Sequence, residues 1–319
     1  MRFGSYKYLM ISYALYSLVY GFVEICTQPI IHVSGAGMYL YVDSFLKYEK
    51  SVSSPLACAY CASFGLCVSL LATHFVYRYF AVCRANDLRH FDGWNLLKIY
   101  VIPASLATVW FWAYLFILTP SDVKNDFVRL GSLANSKMSF LFRKEIQSIY
   151  NEDIGKVGYI AFLYYYPDKS GNLVINWIDF VSCCIPCGVM QTCFMTMIVC
   201  GWKTYQKMRN LKQSMSKRTK DLNSQLFKAL VLQTLVPMCT MFAPVGSLLI
   251  LPMFSIGVPP IFANIPSFYA CLYPALDATI AIFMIRDFRD TVLCRKRVHP
   301  SLISTSTASG KHVSSHISG

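Results

Sequence analysis

The sequence predicts an all-α membrane protein, and three observations support this prediction. The chain has 319 residues, of which 55% are hydrophobic and only 14% are charged, whereas soluble domains average about 25% charged residues. It contains six apolar runs, each long enough to cross a bilayer core of about 30 Å as a helix of roughly 20 residues. Its positively charged residues gather between these runs rather than inside them.

The six predicted spans follow one another along most of the chain. They occupy residues 8–31, 56–82, 94–118, 176–202, 226–254 and 259–285. The first span closes with Pro29, because proline ends or kinks a helix, and residues 32–55 are predicted as a polar loop. The second span is rich in alanine, serine and glycine. Small residues let helices approach closely, so we expect this span at the centre of the bundle.

The later elements add three expectations. Trp110 and Trp112 lie near the end of the third span, where indole rings favour the membrane–water interface. Residues 119–175 form a long segment of mixed charge, and loops of this length are usually functional or disordered, so we expect a partly ordered cap over the bundle. The fifth span carries Pro237 and Pro244, and the sixth carries Pro266 and Pro274. Repeated prolines kink helices inside a bundle, which suits a bundle that changes shape.

The net charge of +13 would indicate a nucleic-acid partner in a soluble protein. In a membrane protein, basic residues gather in cytoplasmic loops, so we expect a bilayer and no nucleic acid. With both termini of the six spans inside, 20 of the 29 Lys and Arg residues face the cytoplasm. The basic stretch 203–225 is either an anchor at an anionic leaflet or a docking surface for a cytoplasmic partner, and the two roles are compatible. Residues 299–319 are rich in Ser and Thr and are predicted as a disordered tail.

Four ionisable residues stand out within the predicted spans, because charged groups are costly there and are therefore functional candidates. They are Glu24, Arg78, Asp179 and Asp277. Asp179 is close to the outer end of its span, where water can reach it. Arg78 is either a residue that extends its charged head to the interface or part of a gating or docking element. Asp277 follows Pro274 at a depth of about 13 Å, using 1.5 Å per residue.

Enzyme motifs are absent from the sequence. It has no nucleophile elbow, no zinc-protease helix and no glycine-rich phosphate loop. Cys183, Cys184 and Cys187 lie close together, but a metal site there would also need nearby histidines or carboxylates. We therefore expect no enzyme activity, no cofactor and no metal.

Three stretches of the chain together resemble one family. They are Gly4 to Gly35, His74 to Arg84 (HFVYRYFAVCR) and Tyr273 to Asp290 (YPALDATIAIFMIRDFRD). They are similar to the second, third and seventh helices of the nematode seven-transmembrane chemoreceptors of the Str class, which include the serpentine receptor class r odorant receptors. In that family another helix precedes the piece starting near Gly4. The resemblance therefore implies a rhodopsin-like seven-helix bundle over residues 1–298, with six spans present in this sequence and the first helix lacking. Ala278 stands where the family pattern has proline.

The resemblance implies a G protein-coupled receptor in the plasma membrane of sensory-neuron cilia. A small odorant or soluble chemical would bind among the outer helix halves, and a heterotrimeric G protein would bind inside. Candidate ligand-binding residues, chosen by position, are Tyr60, Phe64, Asp179, Ser182, Asn264 and Phe268. Candidates for coupling or switching are Arg78, Tyr79, Lys217, Arg218, Pro274 and Asp277.

Other functions stay open at this point. A truncated receptor that does not signal would have the same motifs. An odorant-gated channel subunit would need a polar stripe along a span, and no span has one. A transporter would need discontinuous helices in paired positions, and the chain has no apparent internal repeat.

Overall fold

The structure is a computed structural model that describes residues 6–88, 93–118, 157–167, 172–210 and 217–294. Eight α-helices make up most of these residues. The helices are α1 Tyr6–Thr27, α2 Lys50–Cys83, α3 Lys98–Ile117, α4 Trp177–Asn210, α5 Lys217–Pro237, α6 Ala243–Ile250, α7 Pro260–Met284 and α8 Arg286–Val292. Short 3-10 turns occupy Gly93–Leu97 and Leu251–Phe254.

Six helical segments among the described residues are long and apolar enough to cross a membrane. They are Tyr8–Thr27, Lys50–Cys83, Asn95–Ile117, Trp177–Asn210, Lys220–Phe254 and Pro260–Met284. The predicted fold class, an all-α membrane protein with six spans, is therefore confirmed. Several boundaries are wrong. Helix α1 stops at Thr27, because Gln28 adopts a positive φ of 42° and a strand begins at Pro29. Helix α2 begins at Lys50 instead of residue 56, and α4 continues to Asn210 instead of residue 202.

The fifth span is interrupted by a wide turn. Residues Met238–Phe242 form a π-helical turn that joins α5 to α6, and this turn begins directly after Pro237. Proline has no backbone N–H and cannot continue the α-helical hydrogen-bond ladder, so the helix widens there. The predicted effect of proline on this span therefore takes the form of a π turn.

The central position predicted for the second span is confirmed. Helix α2 packs against α1, α3, α4 and α5, and two glycines permit close approach. A Cβ atom on Gly65 would come within 2.4 Å of the Trp110 ring of α3. A Cβ atom on Gly201 of α4 would lie 3.1 Å from the Phe75 ring of α2.

A small antiparallel sheet closes one end of the bundle, where a polar loop is predicted. Its strands are β1 Pro29–Ser34, β2 Gly37–Val42 and β3 Tyr159–Leu163, in the order β1-β2-β3. Two further strands, β4 Tyr165–Pro167 and β5 Leu173–Ile175, pair with each other. The loop prediction is wrong because β1 and β2 are apolar runs joined by a tight turn, in which Gly35 has a φ of 53°.

The two faces of the three-stranded sheet have different partners. Side chains such as Ile31, Met38 and Leu40 belong to the main core between the helices. Side chains of the opposite face, Tyr39 and Tyr159 among them, form a second buried cluster. Burial raises the pKa of both of these hydroxyl groups, because it disfavours the phenolate, so the sheet keeps neutral tyrosines.

Hydrogen bonds attach the sheet to the bundle. The Tyr164 hydroxyl donates to the Leu249 carbonyl at 2.9 Å, and the Leu163 N–H donates to the Asp179 carboxylate at 2.7 Å. We call this end of the bundle the sheet end. The opposite end carries Arg78 and is called the basic end.

Several predicted segments fall wholly or partly outside the described residues. Of the predicted cap, residues 157–167 and 172–175 supply β3, β4 and β5, whereas residues 119–156 and 168–171 lie outside the description. The predicted disordered tail at 299–319 also lies outside it.

Candidate functional site

A cavity lies between the sheet and the helices at the sheet end. Both layers contribute side chains to its wall. The sheet supplies Ile31, Met38, Leu40, Ile160 and Phe162, and the helices supply Tyr60, Cys61, Phe64, Trp110, Tyr114, Met190, Val245, Leu249, Pro266 and Ser267. Most of these side chains are aliphatic or aromatic. Such a wall favours a mainly apolar molecule with a few polar contacts.

The polar groups of the wall come from three different helices. Tyr60 lies on α2, Trp110 and Tyr114 on α3, and Ser267 on α7. Trp110 Nε1 and Ser267 Oγ are buried and make no hydrogen bond with any described residue. Buried polar groups are rarely left in this state. Trp110 lies beside Tyr114, and Ser267 lies beside the Tyr60 hydroxyl, so these four residues form the polar part of the cavity wall.

Trp110 does not lie at the predicted membrane–water interface. Only 3% of its surface is exposed, and it lines the cavity. Gly65 provides the room for its ring, as described above. Trp112, two residues further on, is 48% exposed and has the outward position that was predicted for both indoles.

The structure brings only part of the predicted ligand set to the cavity. Tyr60 and Phe64 line it. Asp179 accepts a hydrogen bond from the Leu163 N–H, as noted above, and the Ser182 hydroxyl donates to the Ile178 carbonyl within α4. Neither Asp179 nor Ser182 belongs to the cavity wall.

The two candidates on α7 are not part of the cavity wall. Asn264 Oδ1 accepts a hydrogen bond from the Ile31 N–H, and its Nδ2 donates to the Ile31 carbonyl. Phe268 is 65% exposed on the outer surface of the bundle, and its ligand-binding role stays a prediction. Ser267, its neighbour in sequence, faces inward instead. Position along the helix indicated the correct depth, but not the correct face.

An aromatic contact connects the cavity to the π turn. The Phe64 ring of the cavity wall meets the Phe242 ring edge-on, with 4.9 Å between centroids. Phe242 also contacts Phe194 of α4 at 5.7 Å. Sequence reasoning missed Phe242, because only the wide turn determines which way this residue faces.

A buried polar cluster lies deeper in the bundle and consists of Tyr13, Cys67, Gln233, Tyr273 and Asp277. The Tyr13 and Tyr273 hydroxyl groups share a hydrogen bond, and the Tyr13 hydroxyl is 3.8 Å from Cys67 Sγ. Gln233 Nε2 donates to the Asp277 carbonyl at 3.4 Å. Asp277 itself is buried, and its Oδ1 makes no hydrogen bond with a described residue.

Pro274, a predicted switch residue, lies within α7 between Tyr273 and Asp277 of this cluster. Its ring cannot donate a backbone hydrogen bond. The helix therefore lacks one rung directly beside the polar groups. This weak point connects the predicted roles of Pro274 and Asp277 to the same part of the bundle.

Arg78 is buried at the basic end, with 4% of its surface exposed. Its Nη2 donates to the Asn223 carbonyl of α5 at 3.1 Å. This geometry disfavours a side chain that reaches for the interface and favours a contact between α2 and α5. Half-buried Tyr79 lies beneath Lys203 Nζ, 5.9 Å from its ring centroid.

Lys217 and Arg218 are the first two residues of α5. They therefore belong to the same end of the bundle as Arg78. Their side chains lie outside the described part of the structure.

No group of three or more His, Cys, Asp or Glu side chains within the described ranges could hold a metal ion. Cys183 Sγ lies 3.9 Å from Cys187 Sγ along α4, but no third ligand joins this pair. All cysteines of the described ranges are free thiols.

Comparisons with known proteins place this geometry in a family. The chain matches the family described as serpentine type 7TM GPCR chemoreceptor Str over residues 1–293. It is 33% identical to serpentine receptor class r-10 of Caenorhabditis briggsae over 318 residues, which cover 98% of this chain and 89% of that protein. It is 34% identical to serpentine receptor class r-10 of Caenorhabditis elegans, with 92% of this chain and 83% of that protein covered. It is 25% identical to the G-protein coupled receptor str-33 of Caenorhabditis elegans, over 90% of this chain and 79% of that protein. The chain therefore belongs to the serpentine type 7TM GPCR chemoreceptor family Str.

Proposed function

We propose that this receptor binds a small, mostly apolar molecule of the odorant class in the cavity and signals through a heterotrimeric G protein at the basic end. The single observation that carries the proposal is the cavity itself, which lies between the sheet and the helices and is lined mainly by apolar side chains. Membership of a chemoreceptor family makes the protein a multi-pass membrane receptor rather than an enzyme.

The lining of the cavity suits a small, mainly apolar ligand. The polar groups of Trp110 and Ser267 offer polar contacts within the apolar wall. A ligand would gain most of its affinity from apolar burial and its orientation from these groups.

Between the cavity and the basic end lie two helix irregularities, the π turn and Pro274, at which helices can change their arrangement. Phe64 contacts Phe242 in the π turn, and the buried polar cluster joins α1 to α7 beside Pro274. Arg78 then joins α2 to α5 at the basic end. A ligand that binds one arrangement of these helices more tightly shifts the population toward that arrangement. We propose that the favoured arrangement opens the basic end to the G protein.

The proposed orientation places the basic end in the cytoplasm. Arg78, Lys203 and Lys207 lie there, and the positive-inside rule assigns such residues to the cytoplasmic side. Tyr79, Lys217 and Arg218 then belong to the proposed G-protein surface, and Arg78, buried between α2 and α5, is the proposed switch residue beneath it. The plasma membrane of sensory-neuron cilia is the proposed location, since a chemosensory receptor must meet the external medium.

The test uses a cavity-filling variant in cells that express a G-protein-dependent reporter. Volatile alcohols, esters, ketones and amines are screened on the unmodified receptor, and surface expression is measured for every variant. Cys61→Phe places a ring in the cavity wall, so we expect loss of the response with surface expression retained. The matched control is Cys184→Phe, because Cys184 is exposed, and we expect a normal response from it.

Three outcomes would contradict the proposal. A normal response from surface-expressed Cys61→Phe would place the ligand elsewhere. Ligand-dependent current without G-protein activation would support a channel subunit. Retention inside the cell without any response would support a receptor variant that does not signal.

A further inference from the structure

Glu24 is a buried acid that the proposed function does not use. It lies on α1 near the sheet end, and only 7% of its surface is exposed. Its Oε2 makes no hydrogen bond with any described residue. Within the described ranges, no lysine, arginine or histidine forms an ion pair with it. A buried charge is costly unless it is paired, and no basic side chain of the described ranges pairs with this carboxyl group.

Tyrosine side chains surround this acid. Tyr20 lies one helical turn before Glu24 on α1, and its ring centroid is 6.2 Å from that of Tyr60. The Tyr60 hydroxyl lies within hydrogen-bonding reach of the Glu24 carboxyl group. The Tyr20 hydroxyl is fully buried and makes no hydrogen bond with a described residue. We call these three residues the acidic corner.

The acidic corner adjoins the cavity. Tyr60 belongs to both, because its side chain also lines the cavity wall. Ser267, another wall residue, lies beside the Tyr60 hydroxyl. A molecule that fills the cavity therefore contacts Tyr60, whose hydroxyl lies beside the Glu24 carboxyl group.

The chemistry of the acidic corner selects one class of ligand. A carboxylate flanked by tyrosine rings attracts an ammonium group, both by charge and through the electron-rich ring faces. An alcohol or a ketone would bring no compensating charge. An amine brings the positive charge that the buried acid lacks, and its hydrocarbon part suits the apolar wall of the cavity.

We propose that Glu24, Tyr20 and Tyr60 form a subsite for the ammonium group of an amine ligand whose apolar part occupies the cavity. The subsite rests on the proposed function, because it takes the cavity as the ligand site. Glu24 is its specificity-determining residue and distinguishes amines from neutral molecules of the same shape.

The experiment measures binding to the purified full chain in lipid nanodiscs. Two matched pairs of probes are used: 2-phenylethylamine with 2-phenylethanol, and isopentylamine with isopentanol. We expect each amine to bind more tightly than its alcohol by roughly tenfold or more, which is the usual scale for a desolvated charge pair. Equal affinities within both pairs would overturn the proposal, whether or not any variant folds.

A variant and a matched control identify the residue responsible. Glu24→Gln keeps the shape of the side chain but removes the charge, so the amine preference is expected to disappear while alcohol binding is retained. Glu49→Gln removes an exposed acid at the same end of the bundle, and the preference is expected to persist. A preference that survives in Glu24→Gln would overturn the assignment to Glu24.

A parallel G-protein assay separates this proposal from the proposed function. Amine-selective binding without G-protein activation would support the subsite and contradict the signalling role. Activation by neutral molecules alone would support the signalling role and overturn the subsite.

Discussion

Asn264 of α7 holds the backbone of Ile31 in β1 through two hydrogen bonds. Its Oδ1 accepts from the Ile31 N–H at 2.8 Å, and its Nδ2 donates to the Ile31 carbonyl at 3.0 Å. Strand β1 is an edge of the three-stranded sheet, and edge strands present unpaired backbone groups. The amide side chain substitutes for a neighbouring strand at this position and ties the sheet to the last span.

Replacement of Asn264 by leucine should loosen this attachment. Two backbone groups of Ile31 would lose their partner, and unsatisfied buried groups cost about 1–3 kcal/mol each. We expect a clear decrease in the thermal unfolding temperature of the purified receptor in detergent. The matched control is Phe268→Leu, one turn further along α7 on the exposed face. An unchanged unfolding temperature for Asn264→Leu would mean that the attachment does not stabilise the sheet.

The close contact of Gly65 with Trp110 gives a second prediction. In Gly65→Ala the new methyl group would lie 2.4 Å from the indole ring, so Trp110 must move out of its place in the cavity wall. We expect destabilisation by about 1–3 kcal/mol, as is usual when extra volume is forced into a packed core. Ligand affinity should fall as well, because the shape of the cavity changes.

Gly21→Ala is the control for this prediction, since nothing lies within 4 Å of the added atom. Alanine is favoured over glycine inside a helix by roughly 0.5–1 kcal/mol, so this variant should be as stable as the unmodified receptor or slightly more stable. Thermal unfolding and ligand titration measure both variants. Similar behaviour of the two would refute the packing argument.

Arg78 gives a third prediction, which concerns signalling rather than stability. Arg78→Ala removes the buried contact with the Asn223 carbonyl and leaves α2 and α5 without this connection. We expect ligand binding and surface expression to persist, while the G-protein response disappears. Arg84→Ala is the matched control, because Arg84 is exposed and pairs with Asp87 at the surface. Normal signalling by surface-expressed Arg78→Ala would remove Arg78 from the mechanism.

The sequence was sufficient to predict the six spans and the central position of the second. These properties depend on length, hydropathy and residue size, which can be read along the chain. The β1–β2 hairpin was missed although its signal is present: two apolar runs flank a short turn that contains Gly35, which is a typical hairpin pattern. Because the turn residues were read as a polar loop, the sheet that closes the cavity was not foreseen.

The sequence indicated how deep in the membrane the lining residues lie, but not which face of each helix points into the cavity. Tyr60 and Phe64 were assigned to it by their level in the membrane, and they do line it. Phe268 was chosen in the same way but does not line the cavity. Helix α7 has apolar residues on every side, so its sequence does not reveal which face points inward. Trp110 was predicted at the interface from its place near the end of the third span. Its inward position depends on Gly65 of another helix, which the sequence of its own span does not show. The ligand-binding role of Tyr60 and Phe64 stays a prediction.

The π turn after Pro237 interrupts the regular rotation of side chains around the fifth span, so the halves before and after it do not follow one helical wheel. An α-helix rotates by about 100° per residue, and the wide turn takes up extra chain without the corresponding rotation. A helical wheel drawn through the whole span therefore assigns the wrong faces beyond residue 242. The number of residues in this turn, rather than their hydropathy, determines whether Phe242 meets Phe64. A single insertion or deletion between residues 238 and 242 would turn Phe242 away from Phe64, even if every residue type in the span were retained.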